Sequence, residues 1–454
     1  IFMRRNDSPD QSSTGRIISS ILAGIAGLKR VDPSPVPEIN VSQKALVVGG
    51  GIAGMSAALA VAAHGFEVYL VEMKEKTGGN LAWLQRTLDG LAVQPFSDDM
   101  RKKVETNPLI RVHTSSRVVW SNGRVGQFMT EIENDKGEKK LIEHGVTIIA
   151  TGGNEDKTVS YEYGKSNRIL TQMELETKLA EKMIDPSGLN TVVMIQCVDS
   201  RDEKKNYCSR ICCVSALKHA LYLKEQNPDI SIYILYRDMM TYGFTEAFYT
   251  RARAAGVIFI QYDKAEKPEI KVKDNAIGVT VFEPVIGRYV IIEPDLLVLA
   301  TGIVPNLPVE IADSLGASVD ENGFFREAES KWRPVDSLKE GIFSCGISLA
   351  PYSIAESIAT AEASAQRALR IISQNRLRSG KVVAKVRRSL CSLCGQCIDA
   401  CPYGARMIED DEVKVDVIMC QGCGACASAC PNSAAIVDGY NMARMLDVID
   451  TVFI

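Results

Sequence analysis

Thirteen cysteines carry most of the chemistry this 454-residue chain could perform. Eight fall into two runs of identical spacing, Cys391-x2-Cys394-x2-Cys397-x3-Cys401-Pro402 and Cys420-x2-Cys423-x2-Cys426-x3-Cys430-Pro431. Thiolates are soft ligands suited to iron–sulfur clusters. Paired runs of this kind hold two [4Fe–4S] cubes, with the fourth cysteine of each run ligating the other cube. The expected sets are Cys391, Cys394, Cys397 and Cys430 for one cube, and Cys420, Cys423, Cys426 and Cys401 for the other. Gly395, Gly422 and Gly424 leave backbone amides free to approach the sulfides. Pro402 and Pro431 stop each run from continuing as a helix.

Four more cysteines, Cys197, Cys208, Cys212 and Cys213, crowd into one short stretch. The sequence predicts a strand over 190–196 and a helix from Val214 to Glu225, so these thiols mark a strand–helix junction. Four thiolates there can close around a third iron–sulfur cube. A zinc site and a group of buried small hydrophobes are the competing readings. Cys345 stands alone and reads as a core residue, with a position against a cofactor as the alternative.

The second chemical signal is a glycine fingerprint. Lys44-Ala-Leu-Val-Val48 predicts a strand, Gly49-Gly50-Gly51-Ile52-Ala53-Gly54 a turn, and Met55 to His64 a helix. Gly49 permits the tight turn, Gly51 lets the backbone approach a pyrophosphate, and Gly54 lets helix and sheet pack closely. The pyrophosphate is expected at the positive end of the helix. Glu72, at the end of the next strand, stands where a carboxylate accepts hydrogen bonds from a ribose. No comparable glycine turn follows the strand before Cys197, which argues against a nicotinamide dinucleotide there.

Bulk properties fit a multi-domain oxidoreductase. A formal net charge of −4 gives no basis for nucleic acid as the main partner. The longest uncharged run, Ala45 to Ala63, contains the glycine turn and so reads as strand, turn and helix rather than a membrane span. No secretory signal is read, and the numbering starts at Ile1, so a further N-terminal segment is expected. Cysteines in metal-ligand spacing place the chain in a reducing, cytoplasmic setting. Four regions follow: an arm over 1–42 with a helix near Arg16 to Lys29 and a run of Pro33, Pro35 and Pro37; a dinucleotide-binding domain over 43–155 and 293–378; an inserted α/β domain over 156–292; and a cysteine-rich domain over 379–454. The basic connector from Asn375 to Ser389 reads as a solvated linker, with an acidic docking partner as the alternative. The two cysteine quartets are the only internal repeat read. His64, His113, His144 and His219 are isolated; His219 alone lies near an expected cluster.

Several segments resemble two-dinucleotide-domain flavoproteins of the thioredoxin reductase type. They are the extension Glu72 to Asn80 with Gly78 and Gly79; the Ala-Thr-Gly turns at Thr151-Gly152 and Thr301-Gly302; and Ile342 to Ile347, with Gly346 and Ile347 near a flavin ribityl chain. The resemblance implies FAD, held by Gly49, Gly51, Ile52, Ala53, Gly54, Glu72, Gly78, Gly79, Asn80, Thr151, Gly152, Thr301, Gly302, Gly346 and Ile347. Ile347 replaces the usual Asp, so the ribityl hydrogen bond is expected from elsewhere.

Taken together, the Gly49 fingerprint, the segment Tyr207-Cys208-Ser209-Arg210-Ile211-Cys212-Cys213 and the doubled cysteine run resemble the A subunit of heterodisulfide reductase and its relatives. The implied fold is α/β: a thioredoxin-reductase-like FAD domain with an inserted second α/β domain, plus a C-terminal α+β two-[4Fe–4S] ferredoxin domain of bacterial type. The implied cofactors are FAD and three [4Fe–4S] clusters. Full-length members carry a further N-terminal iron–sulfur domain ahead of the arm; a truncated numbering and a shorter variant with fewer entry points for electrons are the two expectations for its lack here. The implied function is electron transfer with splitting or merging of electron pairs at FAD. The implied partners are B- and C-like heterodisulfide reductase subunits, a small electron-delivery iron–sulfur subunit or a hydrogenase or dehydrogenase, ferredoxin, and a second copy of the chain. A self-contained NAD(P)H-dependent flavin/ferredoxin oxidoreductase is the alternative, and a non-bifurcating electron-wiring subunit is a third reading. No acid–base or nucleophilic triad is read.

Overall fold

Lys44–Val48 is almost unbroken in its apolar character, the pattern of a strand covered on both faces. It forms the centre of a five-stranded parallel sheet in the order Ile342–Ser344, Val146–Ile149, Lys44–Val48, Glu67–Val71, Ile110–His113. The computed structural model describes residues 11–28, 38–274, 276–306, 309–378, 382–440 and 442–453. The helix after the glycine turn, Ile52–Ala62, starts three residues earlier than expected and is rich in alanine. Its small side chains let it pack closely on the helix Ile354–Ile372, with Ala53, Ala57, Ala361 and Ala365 in one buried cluster. A capping box fixes the start of Ile354–Ile372: Ser353 accepts from the N–H of Glu356, and Glu356 accepts from that of Ser353.

A second five-stranded parallel sheet runs Ile169–Thr171, Leu296–Thr301, Thr191–Val198, Ser231–Tyr236, Ile258–Gln261. Leu296–Thr301 therefore belongs to the inserted domain, and the expected return to the FAD domain at 293 falls early. The chain passes between the domains through an antiparallel pair, Gly153–Glu155 with Ile303–Pro305. Both domains share a plan that the sequence did not reveal. In each, a three-stranded antiparallel meander (116–144 or 269–292) precedes the strand that ends in Ala-Thr-Gly.

Charged side chains join the domains. Glu176 is 4% exposed and accepts from the backbone N–H of Gln85 at 2.8 Å, from Lys218 Nζ at 2.6 Å and from His219. Burial alone would raise the Glu176 carboxyl, but His219 and Lys218 outweigh it and hold the group down at about 2. Burial lowers the Lys218 ammonium, and Glu176 offsets only part of that. The stabilisation from Glu176 is therefore complete above the ordinary carboxylate pKa of about 4.3. It is lost as pH falls toward 2. Glu176→Ala strands a buried ammonium and is expected to cost about 3–5 kcal/mol, measurable by urea denaturation.

The C-terminal domain pairs Ala384–Val386 with Ala435–Val437 and Arg406–Glu409 with Glu412–Val415, both antiparallel. It docks on the FAD domain through Ile418 in that domain's core, an Arg124–Asp416 ion pair at 2.9 Å, and a Gln421–Glu340 hydrogen bond. The arm's helix spans Gln11–Leu28 and lies against the last helix, Met442–Phe453. The expected proline run lies outside the described residues. The basic connector meets acids of this chain: Arg376 and Arg378 pair with Glu38, Lys385 with Asp438, and Arg388 with Glu412. Among the described residues no helix is long and apolar enough to cross a membrane.

Candidate functional site

The sheet of the first domain ends in the glycine turn, and its three fingerprint glycines meet different constraints. Gly49 has φ +107°, and a Cβ there would lie 2.3 Å from Ala150 O. A Cβ on Gly54 would lie 1.8 Å from Gly49 O, so helix and turn can touch only without a side chain. Gly51 has an extended backbone, and a Cβ would meet nothing nearer than Gly79 Cα at 3.9 Å. Protein packing thus explains Gly49 and Gly54. The open cradle beside Gly51, at the helix N-terminus with its unpaired N–H groups, fits a pyrophosphate.

The other expected FAD residues gather around this cradle. Glu72 is buried; its Oε2 accepts from Gly50 N at 2.6 Å and its Oε1 from Lys74 N at 2.8 Å. A carboxylate offers about four lone-pair sites, so acceptor capacity remains for a ribose. Gly78 N donates to Gly50 O, and Asn80 donates to Gly153 O at 2.9 Å. Gly346, at φ +68°, lies against Ala53, where a Cβ would approach Ala53 Cβ to 2.7 Å. Its N–H donates to Thr360 Oγ1 at 3.0 Å. Ile347 packs on Gly153 and offers no polar side-chain atom. Thr151, beside Gly152, has a buried Oγ1 with no partner among the described residues, a group suited to a polar ligand.

Thr301 and Gly302 lie elsewhere. They end the strand that neighbours the central strand of the inserted domain, and a Cβ on Gly302 would contact Ser200 and Ser209. Ile303 N donates to Ser209 Oγ, while Tyr207 Oη donates to Ile303 O. This turn therefore seats the cysteine segment.

That segment occupies the C-terminal end of the strand Thr191–Val198, the place where a doubly wound sheet binds ligands. A register shift between Ile195 and Val198 sets Cys197 off the regular ladder. Cys197, Asp199, Arg201 and Arg210 all adopt positive φ. Left-handed backbone is costly for residues with a side chain, and such strain collects where a site dictates geometry. The helix begins at Ile211, earlier than expected, so Cys212 and Cys213 sit in its first turn. The helix N-terminus favours negative charge there. The thiols of Cys197, Cys212 and Cys213 act on one another. Cys212 is raised by its hydrogen bond to Cys213, by burial, and by Cys197 and Cys208; Cys213 is lowered by that same bond. Burial and Cys213 also raise Cys197, which Arg201 opposes. Four thiols that repel as thiolates are the arrangement a bound metal relieves. Among the described residues, no three metal-ligating side chains converge as ligands of a single ion would.

Arg210, for which the sequence alone carries no signal, ties this segment to the FAD domain. It caps the cysteine helix, donates to Pro351 O at 3.0 Å and to Glu356 at 3.1 Å, and lies over the rings of Tyr242 and Tyr352. Pro351 and Glu356 flank the start of the flavin-side helix. His219 is buried on Gln172 and Glu176, and so belongs to the domain junction. Cys345 is fully buried, and burial raises it to about 12, as suits a core residue.

The C-terminal domain brings its cysteines together in crossed sets. One cavity is lined by Cys401, Cys420, Cys423 and Cys426. Another is lined by Cys391, Cys394, Cys397 and Cys430. Gly395 and Gly424 cap the two short cysteine helices in left-handed conformation. Backbone N–H groups already face sulfur: Ala384 toward Cys420, Ala405 toward Cys401, and Ala434 and Ala435 toward Cys430. This donor set fits iron–sulfur cubes.

Comparison with known proteins agrees. A family of FAD binding domains matches residues 44–108, and a family of 4Fe-4S dicluster domains matches residues 384–431. Thioredoxin reductase of Lactococcus lactis shares the fold, at 20% identity and TM-score 0.51, over 73% of this chain and 99% of that one. One of the iron–sulfur A subunits of CoB–CoM heterodisulfide reductase from Methanopyrus kandleri is 30% identical over 89% of this chain and 75% of its own. That match runs over 513 positions, more than this chain has, so the relative carries internal residues without counterpart here. The A subunit of the H(2):CoB-CoM heterodisulfide,ferredoxin reductase from Methanothermobacter marburgensis is 28% identical over 90% of this chain and 76% of its own. Identity at this level across most of both chains means that the protein belongs to the family of heterodisulfide reductase A subunits and is an oxidoreductase dependent on FAD and iron–sulfur clusters.

Proposed function

We propose that this chain relays electrons between FAD and three [4Fe–4S] clusters, splitting or merging electron pairs between a disulfide-type acceptor, ferredoxin and a donor subunit. The observation that carries this reading is the cysteine quartet where a nicotinamide domain would hold pyrophosphate, clamped by Arg210 to the flavin-side helix. Bound FAD supplies the exchange between paired and single electrons. The chain's residues do the positioning. The Gly51 cradle and Glu72 hold the dinucleotide, Cys197, Cys208, Cys212 and Cys213 hold the near cluster, and the Arg124–Asp416 contact seats the ferredoxin domain.

In this scheme each electron pair from the donor leaves singly, one electron toward the disulfide and one toward ferredoxin. Two rounds deliver two electrons which, with two protons, turn one disulfide into two thiols. The name of the Methanothermobacter marburgensis relative joins heterodisulfide and ferredoxin, which supports both acceptors. The partners proposed are B- and C-like subunits, an electron-delivery iron–sulfur subunit or hydrogenase or dehydrogenase, and a second copy of the chain, in the cytoplasm.

Protein purified without oxygen is expected to hold one FAD and about twelve irons per chain, four for each cysteine quartet. Iron and flavin assays check this, and about eight irons would remove the cluster at Cys197 to Cys213. Rapid bleaching of the flavin by NAD(P)H alone would instead favour the self-contained enzyme.

A further inference from the structure

Arg406 opens the strand Arg406–Glu409 and is 4% exposed. Its Nε, Nη1 and Nη2 atoms are all buried, and none has an oxygen or nitrogen partner among the described residues, the Cys426 thiol being the acceptor within its reach. A guanidinium carries five N–H donors and stays charged, so a core that leaves it unmatched holds one of the most unfavourable groups available. Asp411 is exposed at the turn of its own hairpin, and the other carboxylates of the hairpin and of the next residues are engaged elsewhere. Asp416 pairs with Arg124, Glu412 with Arg388, and Glu409 and Asp410 with Lys414.

The position of Arg406 suggests what matches it. It lines the cavity of Cys401, Cys420, Cys423 and Cys426, and also that of Cys391, Cys394, Cys397 and Cys430. No other described residue is common to the two linings.

We propose that Arg406 is a shared counter-cation of the two C-terminal clusters, its N–H groups directed at sulfur on both sides so that it raises both reduction potentials together. Adding an electron to either cluster adds negative charge beside a fixed positive one, in a setting where charges are weakly screened. Hydrogen bonds to the sulfurs and local net charge are the levers that set such potentials. A single cation acting on both clusters keeps them near one level, so an electron can pass between them without a large step.

The test is an EPR-monitored redox titration of the full chain, purified without oxygen, comparing wild type with Arg406→Gln and Arg406→Lys. In Arg406→Gln, each cluster's reduction equilibrium is expected to shift at least tenfold against reduction, ~59 mV for a one-electron step. Arg406→Lys, which keeps the charge without the fork, should fall between. A glutamine variant that retains both clusters at wild-type potentials, or in which one cluster alone moves, would overturn the proposal. Should the glutamine variant lose iron, wild-type protein carrying isotopically labelled arginine still decides. Pulsed EPR is expected to show arginine nitrogen coupled to both reduced clusters, and coupling at neither or at one only rejects the shared role.

Discussion

Replacing Gly51 with Val is expected to empty the flavin site while leaving the fold and the clusters in place. Gly51 sits in extended backbone that any residue can adopt, and its nearest neighbour across the cradle is Gly79 Cα at 3.9 Å from a virtual Cβ. The cost to the fold is therefore confined to a poorer helix cap, about 1 kcal/mol. The branched side chain would, however, occupy the space that the pyrophosphate needs. Flavin content should fall from about one per chain to nearly none, with iron unchanged. Acid extraction of flavin alongside an iron assay measures both. Retention of stoichiometric FAD would refute the site. Gly49→Val and Gly54→Val could not make this distinction, because their side chains collide with Ala150 O and Gly49 O.

Cys212→Ser should separate flavin from iron in the opposite sense. A hydroxyl is a hard, weak ligand for iron, so the cluster at Cys197 to Cys213 should be lost, and iron should drop from about twelve to about eight per chain. FAD should stay bound, because the Gly51 cradle belongs to the other sheet. A chemical reductant should still reduce that flavin. Its electrons should then reach the C-terminal clusters far more slowly than in wild type, as followed by rapid-mixing spectroscopy of the flavin and cluster bands. Undiminished transfer in a variant shown to lack the cluster would mean that the ferredoxin domain takes electrons from the flavin directly. Arg210→Ala should reproduce a milder form of this defect with the iron intact, since Arg210 fixes the cysteine helix to Glu356 and Pro351.

Much of this protein was determined by local sequence. Ligand spacing within one run is a property of a few consecutive residues, so the doubled cysteine motif implied its crossed quartets, and the cavities bring together those same sets. The glycine turn was equally local, because backbone conformation at Gly49 and close approach at Gly54 depend on atoms a few residues away or on the adjoining strand. Tertiary structure decided what depends on distant partners. The Ala-Thr-Gly turn at Thr301-Gly302 reads like a flavoprotein turn, yet hydrogen bonding of its strand to Thr191–Val198 places it in the second domain, where it seats the cysteine segment. The matching plan of the two domains was also invisible, since a strand requires only alternating or continuous apolar residues and many sequences satisfy that. Arg210 and Arg406 showed no signal beyond being charges among cysteines and apolar residues. Their roles come from burial and from what lies opposite them, Glu356 for one and two thiol-lined cavities for the other. Spacing along a chain sets which ligands can share a site, but only packing across domains decides which charge is left facing it.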